Sequence, residues 1–92
     1  MKLKGDFVLR EIAGSFVVVS AGQTSKDRPV LIRLNETGAV LWKALADGAD
    51  ERALADALIQ QYDVDGQTAL EDVRAFVSTL SEKGIVEPDK MT

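Results

Sequence analysis

The stretch Leu34-Asn35-Glu36-Thr37-Gly38-Ala39-Val40-Leu41-Trp42-Lys43-Ala44-Leu45-Ala46-Asp47-Gly48 marks where the chain changes from strand to helix. Asn35 is a good N-cap, because its short side chain can accept a hydrogen bond from an otherwise unpaired amide of the first turn. Glu36 in that turn suits the positive end of the helix dipole. Leu41, Ala44 and Leu45 then recur at helical spacing as a buried stripe, with Trp42 off that face as peripheral core or, less expected, a partner anchor, and Gly48 ends the helix as a left-handed C′ residue.

Everything before this stretch reads as strands. Phe7 to Ile12 is a short apolar–polar segment, and Ser15 to Ser20 holds Phe16-Val17-Val18-Val19, whose β-branched side chains favour a pleated strand. The short connection containing Gly14 makes the two a hairpin. Ala21 to Arg28 is polar and reads as a loop. Pro29 opens a third strand, Val30 to Leu34, since a missing backbone donor is tolerated at a strand's first residue.

Everything after it reads as helices. Asp50 caps a second helix with Leu54, Ala55, Leu58 and Tyr62 on one face, and Asp63 to Gly66 is a turn. Thr68 and Glu71 have capping-box spacing for a third helix, with Leu70, Val73, Val77 and Leu80 as its stripe and Ala69 and Phe76 at its flanks. Gly84 ends it, Ile85-Val86 adds a short strand, and a frayed tail follows Pro88. Segregated strands and helices predict an α+β fold, three N-terminal antiparallel strands followed by three helices, in one domain over 1–92 with its core at about 7–87.

Composition narrows the function. With 92 residues, 46% hydrophobic and 28% charged, the chain suits one core. It has no Cys and no His, which removes thiol nucleophiles, thiolate metal sites and the usual general base at neutral pH. No catalytic, cofactor or metal site is expected. The net charge of −4 disfavours nucleic acid and anionic membrane surfaces as partners. The start Met1-Lys2-Leu3-Lys4 has no signal-peptide core and no apolar run is long enough to cross a bilayer, so a cytoplasmic location is expected.

The run from Leu34 to Gly48, with Leu54 to Tyr62, Asp72-Val73 to Phe76, and Leu80 to Val86, resembles the PqqD-like family in this order and spacing, over about Phe7 to Glu87. The Thr37-Gly38-Ala39-Val40-Leu41-Trp42 wording is closer to the broad family than to its strict members in pyrroloquinoline quinone synthesis. The resemblance implies a winged-helix-like recognition element, a non-catalytic chaperone for the leader segment of a ribosomally made precursor peptide. Such domains present the leader to a modifying enzyme, a radical SAM protein or a leader peptidase. It further implies that the leader adds as a strand to the third strand and lies against the third helix, here Val30 to Leu34 and Leu70 to Leu80.

Elementary physics is compatible with that mode. A strand at a sheet border offers unpaired N–H and C=O groups that a peptide can satisfy. Alternation puts Val30, Ile32 and Leu34 on the helix side and Leu31 and Arg33 on the other. Val73, Phe76, Val77 and Leu80 would complete an apolar trough, with Phe76 and Arg74 at its lip and the free main-chain groups near Ile32. A stripe such as Leu70-Val73-Val77-Leu80 is, by itself, ordinary core. Arg33 is equally an anti-aggregation charge on an edge strand.

Alternative readings have weaker footing. A winged helix that binds DNA needs a basic third helix, but Thr68 to Lys83 sets Glu71, Asp72 and Glu82 against Arg74 and Lys83. A homodimeric scaffold would use the apolar side chains of Val17, Val19 and Leu31 on the strand face away from the helices. Asp63-Val64-Asp65-Gly66 lacks a first calcium ligand at Gln61 and reads as a turn. Asn35-Glu36-Thr37 matches a glycosylation sequon but acts as a cap. No Asp-Ser-Leu attachment site of a carrier protein is present.

Overall fold

The computed structural model describes residues 2–87, so the expected tail after Pro88 lies outside the described residues. The order is β1 (Lys2–Leu3), β2 (Phe7–Ile12), β3 (Ser15–Ser20), α1 (Gly22–Asp27), β4 (Leu31–Leu34), α2 (Glu36–Ala46), α3 (Glu51–Gln61), α4 (Gly66–Glu82) and β5 (Val86–Glu87). Strands β2, β3 and β4 form an antiparallel sheet in that order, and β1 pairs with β5 in a second, two-stranded sheet. The α+β arrangement is the one expected, with α2 against β4, α3 packed on α2 and α4, and the three helices sharing one core with Val18 of the sheet.

The β2–β3 hairpin has Ile12 opposite Ser15, which leaves a two-residue connection. Ala13 and Gly14 both have positive φ, 52° and 80°. That is the signature of a type I′ turn, whose backbone twist matches the strands it joins. Glycine meets this demand freely, whereas Ala13 carries a Cβ in the left-handed region.

The core is continuous from sheet to helices. Val18 of β3 is fully buried with Leu41, Trp42 and Leu45 of α2, Leu54 and Leu58 of α3, and Val73 and Leu80 of α4. Phe7, Leu9, Ile32 and Leu34 pack against this cluster from the strands. Trp42 is core, as its position suggested, and Phe7 meets it edge-on, with ring centroids 6.0 Å apart and planes at 86°. On α4 the buried line is Ala69, Val73 and Leu80, with Leu70 and Val77 only half-buried, so the stripe is rotated slightly from the one read in the sequence.

Helix ends follow side-chain chemistry. Asn35 Oδ1 accepts from Gly38 N at 2.7 Å and Asp50 Oδ1 from Ala53 N at 2.9 Å. The third cap differs from expectation. Helix α4 begins at Gly66, and Asp65 Oδ1 accepts from Thr68 N at 2.7 Å. Asp is a stronger N-cap than Thr, and its carboxylate suits the positive helix end, so the helix starts three residues before the point a Thr68 cap would set. The Thr68 amide, then its hydroxyl, hold the Asp65 carboxyl below its ordinary value. Glu71, freed from a capping box, accepts instead from Gln67 Nε2 at 3.3 Å. At its far end α4 stops at Gly84 (φ 73°), and Ile85 N donates back to Leu80 O at 2.9 Å, as a Schellman ending requires.

The segment Ala21 to Arg28 is not a loop but contains helix α1. It buries no residue, so no apolar periodicity announced it. Polar contacts hold it: Thr24 Oγ1 accepts from Asp6 N at 2.8 Å, Ser25 Oγ donates to Gly22 O at 2.8 Å, and Gln23 Nε2 donates to Asp27 Oδ1 at 3.1 Å. Just after it, the Arg28 guanidinium donates to Gly84 O at 2.8 Å and to Lys4 O, tying this segment to the turns beside β1 and β5.

Replacing Ala13 by Asn should relieve the left-handed strain and stabilise the chain by about 1 kcal/mol. Urea unfolding checks this, and an unchanged or lower midpoint would mean that the hairpin turn is not of this type.

Candidate functional site

Strand β4 is an edge. Its inner neighbour is β3, with Phe16 opposite Leu34, Val17 opposite Arg33, Val18 opposite Ile32 and Val19 opposite Leu31. Among the described residues no strand lies along its other side. Antiparallel pairs alternate between hydrogen-bonded and non-hydrogen-bonded classes. Ser20 N donates to Val30 O at 3.0 Å, which places Ser20 and Val30 in the bonded class. By the same alternation Val18 with Ile32 and Phe16 with Leu34 are bonded pairs. The main-chain groups of Ile32 and Leu34 therefore point into the sheet, and those of Leu31 and Arg33 point out of it. The free groups are not those of Ile32 itself, as a reading centred on that residue suggests, but those of its two neighbours.

Side chains follow the expected parity. Val30, Ile32 and Leu34 pack against the core, whereas Leu31 is 66% exposed and Arg33 is also exposed.

Beside the end of this strand lies a cleft of about 270 Å³. Its near wall is Asn35, Thr37 and Gly38, the residues that lead from β4 into α2; Leu41 lies deeper along α2. Its far wall is Asp72, Ala75 and Phe76 of α4. Gly38 is packed tightly at this wall, since a Cβ there would sit 3.2 Å from Asn35 Oδ1 and 3.3 Å from the Leu34 Cβ. The cleft thus has an apolar floor, a carboxylate and two uncharged polar side chains.

The residues proposed from α4 separate in space. Phe76 lines the cleft. Val73 and Leu80 are 0% and 1% exposed and serve as core, so they reach no guest directly. Arg74 is not at the cleft's lip. At about 100° per residue, Arg74 and Phe76 fall on opposite flanks of the buried line. Arg74 Nε instead pairs with Glu51 Oε1 of α3 at 3.0 Å. Val77 goes with it, lining a separate depression of about 360 Å³ with Glu51, Arg74, Ser78, Ser81 and Glu82. Nothing in the sequence pattern marks Asn35, Thr37, Asp72 and Ala75 as wall residues. Spacing alone could find Asp72, one helical turn before Phe76; the signal Asn35 carries is that of a cap.

No group of acidic residues among the described residues is arranged to hold a metal ion. Among them, no helix is long and apolar enough to cross a membrane.

The sequence profile described as "Coenzyme PQQ synthesis protein D (PqqD)" matches residues 17–86. No curated protein sequence matches the chain. Two solved structures share its fold. One, described as "TbiB1 in Complex with the TbiA(beta) Leader Peptide", superposes with a TM-score of 0.78 at 24% identity, covering 99% of this chain and 100% of that one. The other, "Lasso peptide synthetase B1 complexed with the leader peptide", has a TM-score of 0.73 at 24% identity, covering 95% and 96%.

Amide hydrogen exchange should be slow at Ile32 and Leu34 and fast at Leu31 and Arg33 in the isolated protein. The reverse order, read by NMR, would overturn the strand parity.

Proposed function

Because the chain belongs to the PqqD family, we propose that it is a non-catalytic peptide-binding module that takes the leader segment of a ribosomally made precursor as an added strand on β4. The observation that carries this reading is the open border of β4, where the N–H and C=O groups of Leu31 and Arg33 face outward. A guest strand satisfies these groups and gains affinity without demanding a particular sequence. Every second guest side chain then faces the helices, and one near the end of β4 meets the cleft walled by Phe76 and Asp72. Selectivity comes from that cleft.

Val30, Leu31, Ile32, Arg33 and Leu34 supply or support the border. Phe76 lines the groove, while Val73 and Leu80 hold α4 at its distance from the sheet. Arg74 and Val77 act away from the guest. The two structural relatives, each described as in complex with a leader peptide, support a leader as the guest here. The module delivers its guest to a peptide-modifying enzyme, a radical SAM protein or a leader peptidase, in the cytoplasm where such precursors are made. Nucleic acid fits poorly: the net charge is −4, and Arg74, the cation midway along α4, is paired with Glu51.

The test uses a fluorescently labelled synthetic leader from the precursor gene beside this one. Arg33→Pro deletes an outward donor at an edge position that tolerates proline, and should weaken binding about tenfold or more. Arg33→Ala keeps the donor and should stay within about threefold. Equal affinities for Arg33→Pro and wild type, with both folded by circular dichroism, would overturn augmentation at β4.

A further inference from the structure

The cleft at the end of β4 holds one charge, and the chain supplies no partner for it. Asp72 is the only ionisable side chain among the lining residues. Among the described residues no Lys or Arg lies within salt-bridge distance of it. Its own helix has none to offer, because the side chains three and four positions away are Thr68, Ala69, Ala75 and Phe76. Arg33, the cation of β4, belongs to the opposite face of the sheet. Two other carboxylates near this helix are engaged. Glu51 holds Arg74 at 3.0 Å and Glu71 accepts from Gln67 Nε2 at 3.3 Å, and neither lines the cleft.

The surroundings of Asp72 are apolar. Phe76, one turn further along the same flank of α4, is half-buried, and Leu41 on the α2 side is 2% exposed. The polar wall atom Asn35 Oδ1 is already occupied by Gly38 N. At about 270 Å³ the cleft is smaller than the sites of about 300–1,000 Å³ that enclose whole small molecules, so it takes a single side chain.

We infer that the cleft selects a leader with a lysine or arginine at the helix-facing position beside Leu34, its cation pairing with Asp72. This rests on the leader-binding reading above. A guest bonded to the main chain of Leu31 and Arg33 runs about 5 Å from β4, and its residues beside Ile32 and Leu34 turn toward the helices. The methylene stem of a basic side chain covers the apolar floor while its charged end stays at the rim. The ring of Phe76 attracts the same cation. An acidic side chain at this point is repelled, and an alkyl one leaves the carboxylate without a partner. The net charge of −4 draws a basic guest from a distance. Asp72 then fixes where that charge comes to rest.

The probe is the labelled synthetic leader from the neighbouring precursor gene, titrated with the full-length chain, together with copies in which each Lys or Arg is changed singly to Glu. Asp72→Asn keeps the side-chain shape and should weaken binding about fivefold at low salt, with the difference shrinking as ionic strength rises. Glu71→Gln removes an equal charge one residue away and off the cleft, and should change affinity less than twofold. Asp72→Lys should lose more than Asp72→Asn, and one of the Glu-bearing leaders, and only one, should win back most of that loss. Neither a purely structural role of Asp72 nor a neutral hydroxyl on the guest produces such a reciprocal swap. Asp72→Asn and Asp72→Lys both within twofold of wild type, in chains folded by circular dichroism, overturn the inference and leave leader binding intact. So do equal losses for Asp72→Asn and Glu71→Gln, a bound leader without Lys or Arg, or a loss in Asp72→Lys that no Glu-bearing leader restores. No binding of the leader by the wild-type chain overturns the leader-binding reading itself and this inference with it.

Discussion

A β-strand must place its backbone groups somewhere, and on β4 alternation sends them two ways. Ile32 and Leu34 spend theirs on β3, and Leu31 and Arg33 turn theirs outward. The side chains divide by the same parity, with Ile32 and Leu34 against the helices and Leu31 and Arg33 on the opposite face. One constraint, the two-residue period of a strand, therefore fixes three surfaces at once: the core side, the open border and the outer face.

The rest of the fold holds that border in place. Asn35, directly after β4, is the N-cap of α2, so its bond from Gly38 N fixes both the strand's exit and one wall of the cleft. Val73 and Leu80 anchor α4 in the core and thereby set how far Phe76 stands from β4. At the other end of the strand, Val30 N donates to Ser20 Oγ at 2.9 Å, and Arg28 ties the preceding segment to Gly84 and Lys4. The border is open but not loose at either end.

Much of this was legible in the residues. Both strands of the hairpin, the Asn35 and Asp50 caps and the Gly48 and Gly84 stops each carry a local chemical signal. Helix α1 and the pairing of β1 with β5 carry no apolar signal: the helix buries no residue and is held by polar contacts, one of them to Asp6 far back in the chain, and the strands are two residues long. The start of α4 is ambiguous in the residues, because Asp65 and Thr68 each offer a cap three positions apart and only the fold shows that Asp65 is the one used. Within the site, periodicity gave the faces of β4 correctly. It did not give Arg74, because sequence spacing places that residue beside the stripe without saying which flank meets the sheet. Glu51 on α3 settles that.

The measurement that bears most directly on the border is the detection of scalar couplings across hydrogen bonds in an isotope-labelled complex of the chain with its leader peptide. The account predicts couplings from the amides of Leu31 and Arg33 to carbonyls of the guest, with Ile32 and Leu34 still coupled to β3. A bound leader whose carbonyls couple to neither Leu31 nor Arg33 would contradict it.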